Sequence, residues 1–145
     1  MTTNLTISCQ IGTTDASAPL GLEVWVDAQQ FVNIDHVQGP QDLVIELPDD
    51  EASHELRFVM KNKTVEHTLV DDNNNIIKDA SLSITDVAFD EIKLGHMLTE
   101  LAVYTHNYND TAGRVFDKFY GTLGCNGTVS LKFTTPIYLW LLESM

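Results

Sequence analysis

Apolar side chains recur at every second position in six separate stretches of this chain, and that period leaves few folds open. Leu5, Ile7, Cys9 and Ile11 alternate with polar residues, as do Leu22, Val24 and Val26. The pattern continues through Leu43, Ile45 and Leu47, through Leu56, Phe58 and Met60, through Leu82 and Ile84, and through Val129, Leu131 and Phe133. A period of two puts each set on one face of a half-buried strand. Between the stretches lie Gly39-Pro40, Pro48-Asp-Asp50, the run Asp71 to Asn75, and Asn126-Gly127, all of them turn chemistry. Asn126-Gly127 predicts a hairpin joining Thr122–Cys125 to Thr128–Phe133, because both residues tolerate positive φ. Seven to nine short strands with turns between them predict an all-β chain, an antiparallel β-sandwich of jelly-roll type. A small barrel is the alternative. At 145 residues, with no internal repeat or linker, positions 1–145 read as a single domain.

Two stretches depart from the pattern. Leu94 to Tyr104 could form a helix through Met97, Leu98 and Leu101, whereas Gly95 and the run Val103 to His106 favour a strand or a single turn. Ile137 to Leu142 is apolar throughout, which predicts a C-terminal strand buried on both faces or laid against a partner. Core packing or a subunit interface would each account for it.

Charge narrows the partners. The chain carries 21 acids and 8 bases, a formal net charge of −13, and ten of the acids precede Arg57, the first base. Such a chain lacks the cations that release counterions from a phosphate backbone, so neither nucleic acid nor an anionic membrane is an expected partner. The acidity favours solubility and could attract cations. The N-terminus lacks the basic and apolar regions of a signal peptide, and no apolar run approaches the length of a membrane span. Cys9 and Cys125 form no CxxC motif. They could pair, although a reduced intracellular chain is the default expectation.

Several residue groups could carry chemistry. Asp71, Asn73, Asn75 and Asp79 occupy positions 1, 3, 5 and 9 of a calcium-loop spacing, which would gather hard oxygens around a cation. Ile76 and Leu82 stand where the turn glycine and the bidentate glutamate belong, so a hairpin turn is the preferred reading. Trp25 lies opposite the apolar face of its strand, between Glu23 and Asp27. Tyr104, His106 and Tyr108 alternate along one face, among Asn107, Asn109 and Asp110. Rings that stack on the C–H face of a sugar, with amides and carboxylates that hold its hydroxyls, would make such a set a glycan platform. Core or cross-strand packing is the plainer alternative. His36, His54, His67, His96 and His106 show no metal-binding spacing. Asp86 and Asp90–Glu91 would be a glycosidase pair only if they faced each other across a cleft. No nucleophile elbow, Walker loop or dinucleotide fingerprint is present, so no enzymatic activity is expected.

The stretches HELRFVMKNKT (54–64) and FYGTLGCNGTVSLKFTTPIYLWLLE (119–143) resemble small proteins of unassigned function from T4-like phages of marine cyanobacteria. LEVWVD (22–27) and DASLSITDVAFD (79–90) are similar to carbohydrate-binding modules built as jelly-roll sandwiches, many of which bind sugar through calcium. These resemblances imply a non-enzymatic, carbohydrate-binding-like module in a virion or the host cytoplasm, with a glycan as partner and calcium as the one cofactor to consider. They also imply an alternative: a virion structural or assembly subunit that meets copies of itself or other virion proteins through the C-terminal strand. A weaker possibility is a protein that binds a host protein through its acidic N-terminal segment.

Overall fold

Every residue of the six alternating sets, from Leu5 to Phe133, is buried, and together they form the facing surfaces of two sheets. The structure is a computed structural model. It describes residues 4–48, 50–63, 68–70, 72–73, 76–106, 115–124 and 126–144. One sheet runs β12 (Thr122–Leu123), β8 (Leu82–Phe89), β1 (Asn4–Thr13), β4 (Gln41–Pro48), with β9 (Ile92–Lys93) also paired to β8. The larger sheet has six strands in the order β11 (Val115–Lys118), β10 (Val103–His106), β13 (Gly127–Thr134), β5 (Ser53–Lys61), β2 (Gly21–Val26), β3 (Gln29–Ile34). All these pairings are antiparallel, so the fold is a β-sandwich. β6 (Thr68–Val70) and β7 (Ile76–Asp79) form a separate hairpin.

The register of the larger sheet fixes which residues share a face. Val24, Phe58, Val129 and Tyr104 stand side by side across β2, β5, β13 and β10, and all are buried. The neighbouring row of Trp25, Arg57, Ser130 and Val103 faces outward. Phe89 and Phe133 meet between the sheets with ring centroids 5.1 Å apart.

The C-terminal segment departs from its predicted form. Ile137–Ser144 is a helix, α2, not a strand. It follows a cis Thr135–Pro136 bond. It buries Ile137, Trp140 and Leu141, which share one helical face at spacings of three and four, and exposes Tyr138, Leu139 and Leu142. A continuous apolar run suits a buried strand and a helix equally. Here only packing against Phe89 and Phe133, 5.7 and 6.3 Å from Trp140, distinguishes the two. The other ambiguous stretch holds both predicted forms in succession: helix α1 (His96–Leu101) leads directly into β10.

Asn126-Gly127 does not close the predicted hairpin either. β12 belongs to one sheet and β13 to the other, so the chain crosses between sheets at this point. Asn126 instead anchors the crossing. Its Nδ2 donates to the Lys63 carbonyl (2.8 Å) and its Oδ1 accepts from the Lys63 amide (2.9 Å). The two-residue turns lie elsewhere: Asp90–Glu91, with φ of 50° and 69°, joins β8 to β9 as a type I′ turn.

Candidate functional site

The edge of the larger sheet shapes the candidate site. β10 alternates Val103 and Thr105 toward solvent with Tyr104 and His106 toward the interior, and β11 adds one more strand beyond it. His106 is buried, its ring 4.6 Å from that of Tyr104, and its Nε2 lies 2.7 Å from Oδ2 of Asp117 on β11. Asp117 is half exposed. Beside it, Phe116 and Tyr120 stand 65% and 77% exposed, which is unusual for large rings. Tyr104, Phe116, Asp117, Lys118, Tyr120 and Thr122 line an open cleft of about 480 Å³ between this edge and β12 of the opposite sheet. Asp117 pairs with Tyr104 and shares its inner face, whereas Phe116 and Lys118 pair with the outward-facing Thr105 and Val103, so the cleft wraps the β11 edge and takes residues from both faces of the sheet.

The residues marked in the sequence are divided between two faces. Trp25 sits on the outer face of β2, four strands from β11, or about 19 Å at the usual strand spacing. Its Nε1 donates to Glu23 (3.0 Å) and the Arg57 guanidinium lies 5.5 Å from its ring centre, so it is a cross-strand and cation–π partner. Tyr104 and His106 are on the inner face, each only 7% exposed, and so cannot share a surface with Trp25. Strand alternation placed each residue on its own side, but faces of different strands cannot be matched without the register. Asn107, Tyr108, Asn109 and Asp110 lie outside the described residues. Phe116, Asp117, Lys118 and Tyr120 carry no local motif and were missed. The only signal was a pair of aromatics flanking a charged pair in a turn-rich stretch.

Of the expected calcium loop, Asp71 and Asn75 lie outside the described residues. Asp79 pairs with Thr68 at the far end of β7, while Asn73 lies in the turn. Asp79 stands three residue steps along β7 from Ile76, about 10 Å of strand. β6 and β7 pair antiparallel on either side of Asn73. Among the described residues no group of three or more His, Cys, Asp and Glu could hold a metal ion. Asp86 lies 3.5 Å from Lys93, and Asp90 accepts from the Thr6 amide at 2.7 Å, so each carboxylate has a partner of its own. No described helix is long and apolar enough to cross a membrane.

A second cluster had no counterpart in the sequence reading. His54 places Nδ1 2.6 Å from Asp27 Oδ2 and Nε2 2.8 Å from Asp50 Oδ1. Burial alone would lower its pKa, but the hydrogen bonds to Asp27 and Asp50 outweigh burial and raise it. The slight burial of Asp27 would raise its pKa, but the bonds from His54 and from the Glu55 amide hold it below the usual carboxylate range. The hydrogen bond with His54 does the same for Asp50.

No protein-family model matches the sequence, and none of the curated proteins compared with it does. Among solved structures the chain is similar to vCBM60. In its selenomethionine form, described under the heading of a circular permutation linking two families of calcium-dependent carbohydrate-binding modules, the TM-score is 0.56 at 12% identity, over 88% of this chain and 89% of that one. A second structure, vCBM60 in complex with galactobiose, gives a TM-score of 0.53 at 12% identity, over 87% of this chain and 96% of that one. The fold is thus like that of a carbohydrate-binding module.

Proposed function

We propose that this protein is a non-enzymatic, carbohydrate-binding-like module whose glycan lies in the cleft beside β11. The observation that carries the reading is the cleft at the β11 edge, lined by two exposed rings, Phe116 and Tyr120, and by the half-exposed Asp117. The likeness of the fold to vCBM60 supports it. An aromatic face stacks on the apolar side of a pyranose, and a carboxylate held by a buried imidazole offers its second oxygen to a hydroxyl. Lys118 and Thr122 supply donors at the rim. The proposal sets such a module on or near a phage particle, a location that the sequence resemblance to phage proteins supports.

Thermal unfolding against a glycan panel, with and without calcium, tests the reading. A glycan that binds only the folded state raises the midpoint by linkage. Tyr120→Ala and Phe116→Ala should remove the shift and leave the ligand-free midpoint unchanged. A flat response across the panel would overturn the proposal, and a shift that survives both substitutions would move the site elsewhere.

The exposed face of α2 supports a second reading, an assembly subunit. Tyr138, Leu139 and Leu142 are 54%, 57% and 69% exposed on adjacent turns, a patch suited to another protein. A concentration-dependent mass in solution that Leu139→Lys abolishes would favour this reading over the first.

A further inference from the structure

The Asp27–His54–Asp50 cluster joins the β2–β3 turn to the β4–β5 loop. Asp27 occupies the β2–β3 turn with φ of 54°, and its Oδ1 also accepts from the Glu55 amide at 2.9 Å. Asp50 lies between β4 and β5, and its Oδ1 also accepts from Oγ of Thr135 at 3.1 Å. Thr135 is the residue before the cis proline that opens into α2. The imidazole between them is 13% exposed and packs 5.5 Å from the Phe133 ring. Asp27, Ser53, His54, Glu55, Lys132, Phe133, Thr134 and Trp140 line a cavity of about 420 Å³ between this end of the larger sheet and α2.

The geometry fixes the protonation state that the closed arrangement requires. An ionised carboxylate can only accept hydrogen bonds, and here both ring nitrogens face carboxylate oxygens. Both nitrogens must therefore carry protons. A neutral ring donates from one nitrogen and presents a lone pair from the other, so one of the two bonds becomes a repulsion. Asp27 is also held by the Glu55 backbone amide, whereas Asp50 is held by the Thr135 hydroxyl, which has the Ala52 carbonyl as a second acceptor at 3.4 Å, so the Asp50 arm is the one that opens.

We propose that Asp27–His54–Asp50 is a proton-operated clasp, closed when His54 is an imidazolium and open when it is neutral, that fastens Asp50 of the β4–β5 loop, and through it the Thr135 hydroxyl at the β13–α2 junction, to the β2–β3 turn beside the cavity that Trp140 lines. The charged groups facing the ring are Asp27 from the β2–β3 turn and Asp50 from the β4–β5 loop. Glu55 of β5 and Lys132 of β13 line the same cavity, Arg57 of β5 donates to the Asp27 carbonyl, and α2 contributes Trp140 without a charge. With acids on both sides, the proton is held above the ordinary histidine range, so the clasp is complete below pH 6.5 and is lost as pH rises through the folded-state value. Thr135 stays tied to Ala52 in both states, through Ala52 N to Thr135 Oγ and Thr135 N to the Ala52 carbonyl, so the fold persists while the loop loosens.

Two measurements between pH 5 and 9 test the clasp. The His54 ring nitrogens, followed by NMR, should both be protonated at low pH and titrate with a midpoint above 6.5. Trp140 fluorescence in a Trp25→Phe background, with hydrogen exchange of residues 137–144 corrected for its intrinsic pH dependence, should change with the same midpoint. In His54→Gln both Trp140 and α2 readouts should be flat, and in Asp50→Asn, which keeps the Asp27 arm and the fold, the His54 midpoint should fall. A His54 midpoint at or below 6.5, or the same Trp140 and α2 transition in His54→Gln as in the wild type, would overturn the proposal. If His54→Gln does not fold, Asp50→Asn decides alone: an unmoved midpoint overturns it.

Discussion

A Cβ on Gly127 would overlap the carbonyl oxygen of Thr105 on the neighbouring strand and would crowd the Cβ of His106. β13 therefore approaches β10 only because residue 127 has no side chain, and it is this approach that brings Tyr104 and His106 inward beneath the candidate cleft. The residue that looked like turn chemistry in the sequence acts through space, not through a positive φ.

Gly127→Ala should accordingly destabilise the fold by about 1–3 kcal/mol, the usual cost of forcing a methyl group into filled space. Urea unfolding measures this. A variant as stable as the wild type would mean that β10 can shift without loss.

The Asn126 side chain makes two hydrogen bonds to the backbone of Lys63, where the chain passes between sheets. Asn126→Ala should cost about 1–3 kcal/mol, since it leaves both Lys63 backbone groups without these partners. Asn126→Asp keeps the acceptor for the Lys63 amide but turns a carboxylate oxygen toward the Lys63 carbonyl, where two acceptors repel, so its loss should match or exceed that of the alanine variant. A smaller loss than alanine's would show that the bond to the Lys63 carbonyl contributes little.

Phe133 links the clasp to the core: its ring touches Phe89, Trp140 and His54. Phe133→Ala should destabilise by about 3–5 kcal/mol as a buried aromatic removed from packed surroundings. Tyr138→Ala, on the outer face of α2, should change stability by less than about 0.5 kcal/mol in a monomer. Thermal denaturation of the pair separates a docked helix from a loosely attached one, for which both values would be small.

Cys9 is a free, buried thiol, and burial together with the nearby Asp42 carboxylate pushes its pKa up to about 12. The thiolate is the reactive form, so in a Cys125→Ser background a thiol reagent at pH 8 should label Cys9 only in denaturant. The unfolded chain ionises this group near pH 9, before the folded one does, so this group's contribution to stability falls from pH 9 up to about 12. Rapid labelling of the native protein would show that β1 opens at its Cys9 position.

Much of the sandwich was legible in the sequence because burial and strand geometry share a period of two. Each of the residues from Leu5 to Phe133 marked by alternation lies inside, and the Asp71–Asn75 stretch lies between two paired strands. The candidate site was legible in fragments. Tyr104 lines the cleft, but Trp25 stands on the opposite face of the same sheet, and Phe116, Asp117 and Tyr120 became visible only once β11 was paired with β10.

By itself the sequence determined which side chains enter the core, the antiparallel β class and the acidic charge, since each of these follows from local order and composition. Tertiary structure decided which sheet each strand joins, that Ile137–Ser144 winds as a helix, and that His54 bridges two aspartates 23 residues apart in the chain. Those outcomes depend on contacts between distant segments, and a period of two records only which face of a strand a residue occupies, not what lies opposite it.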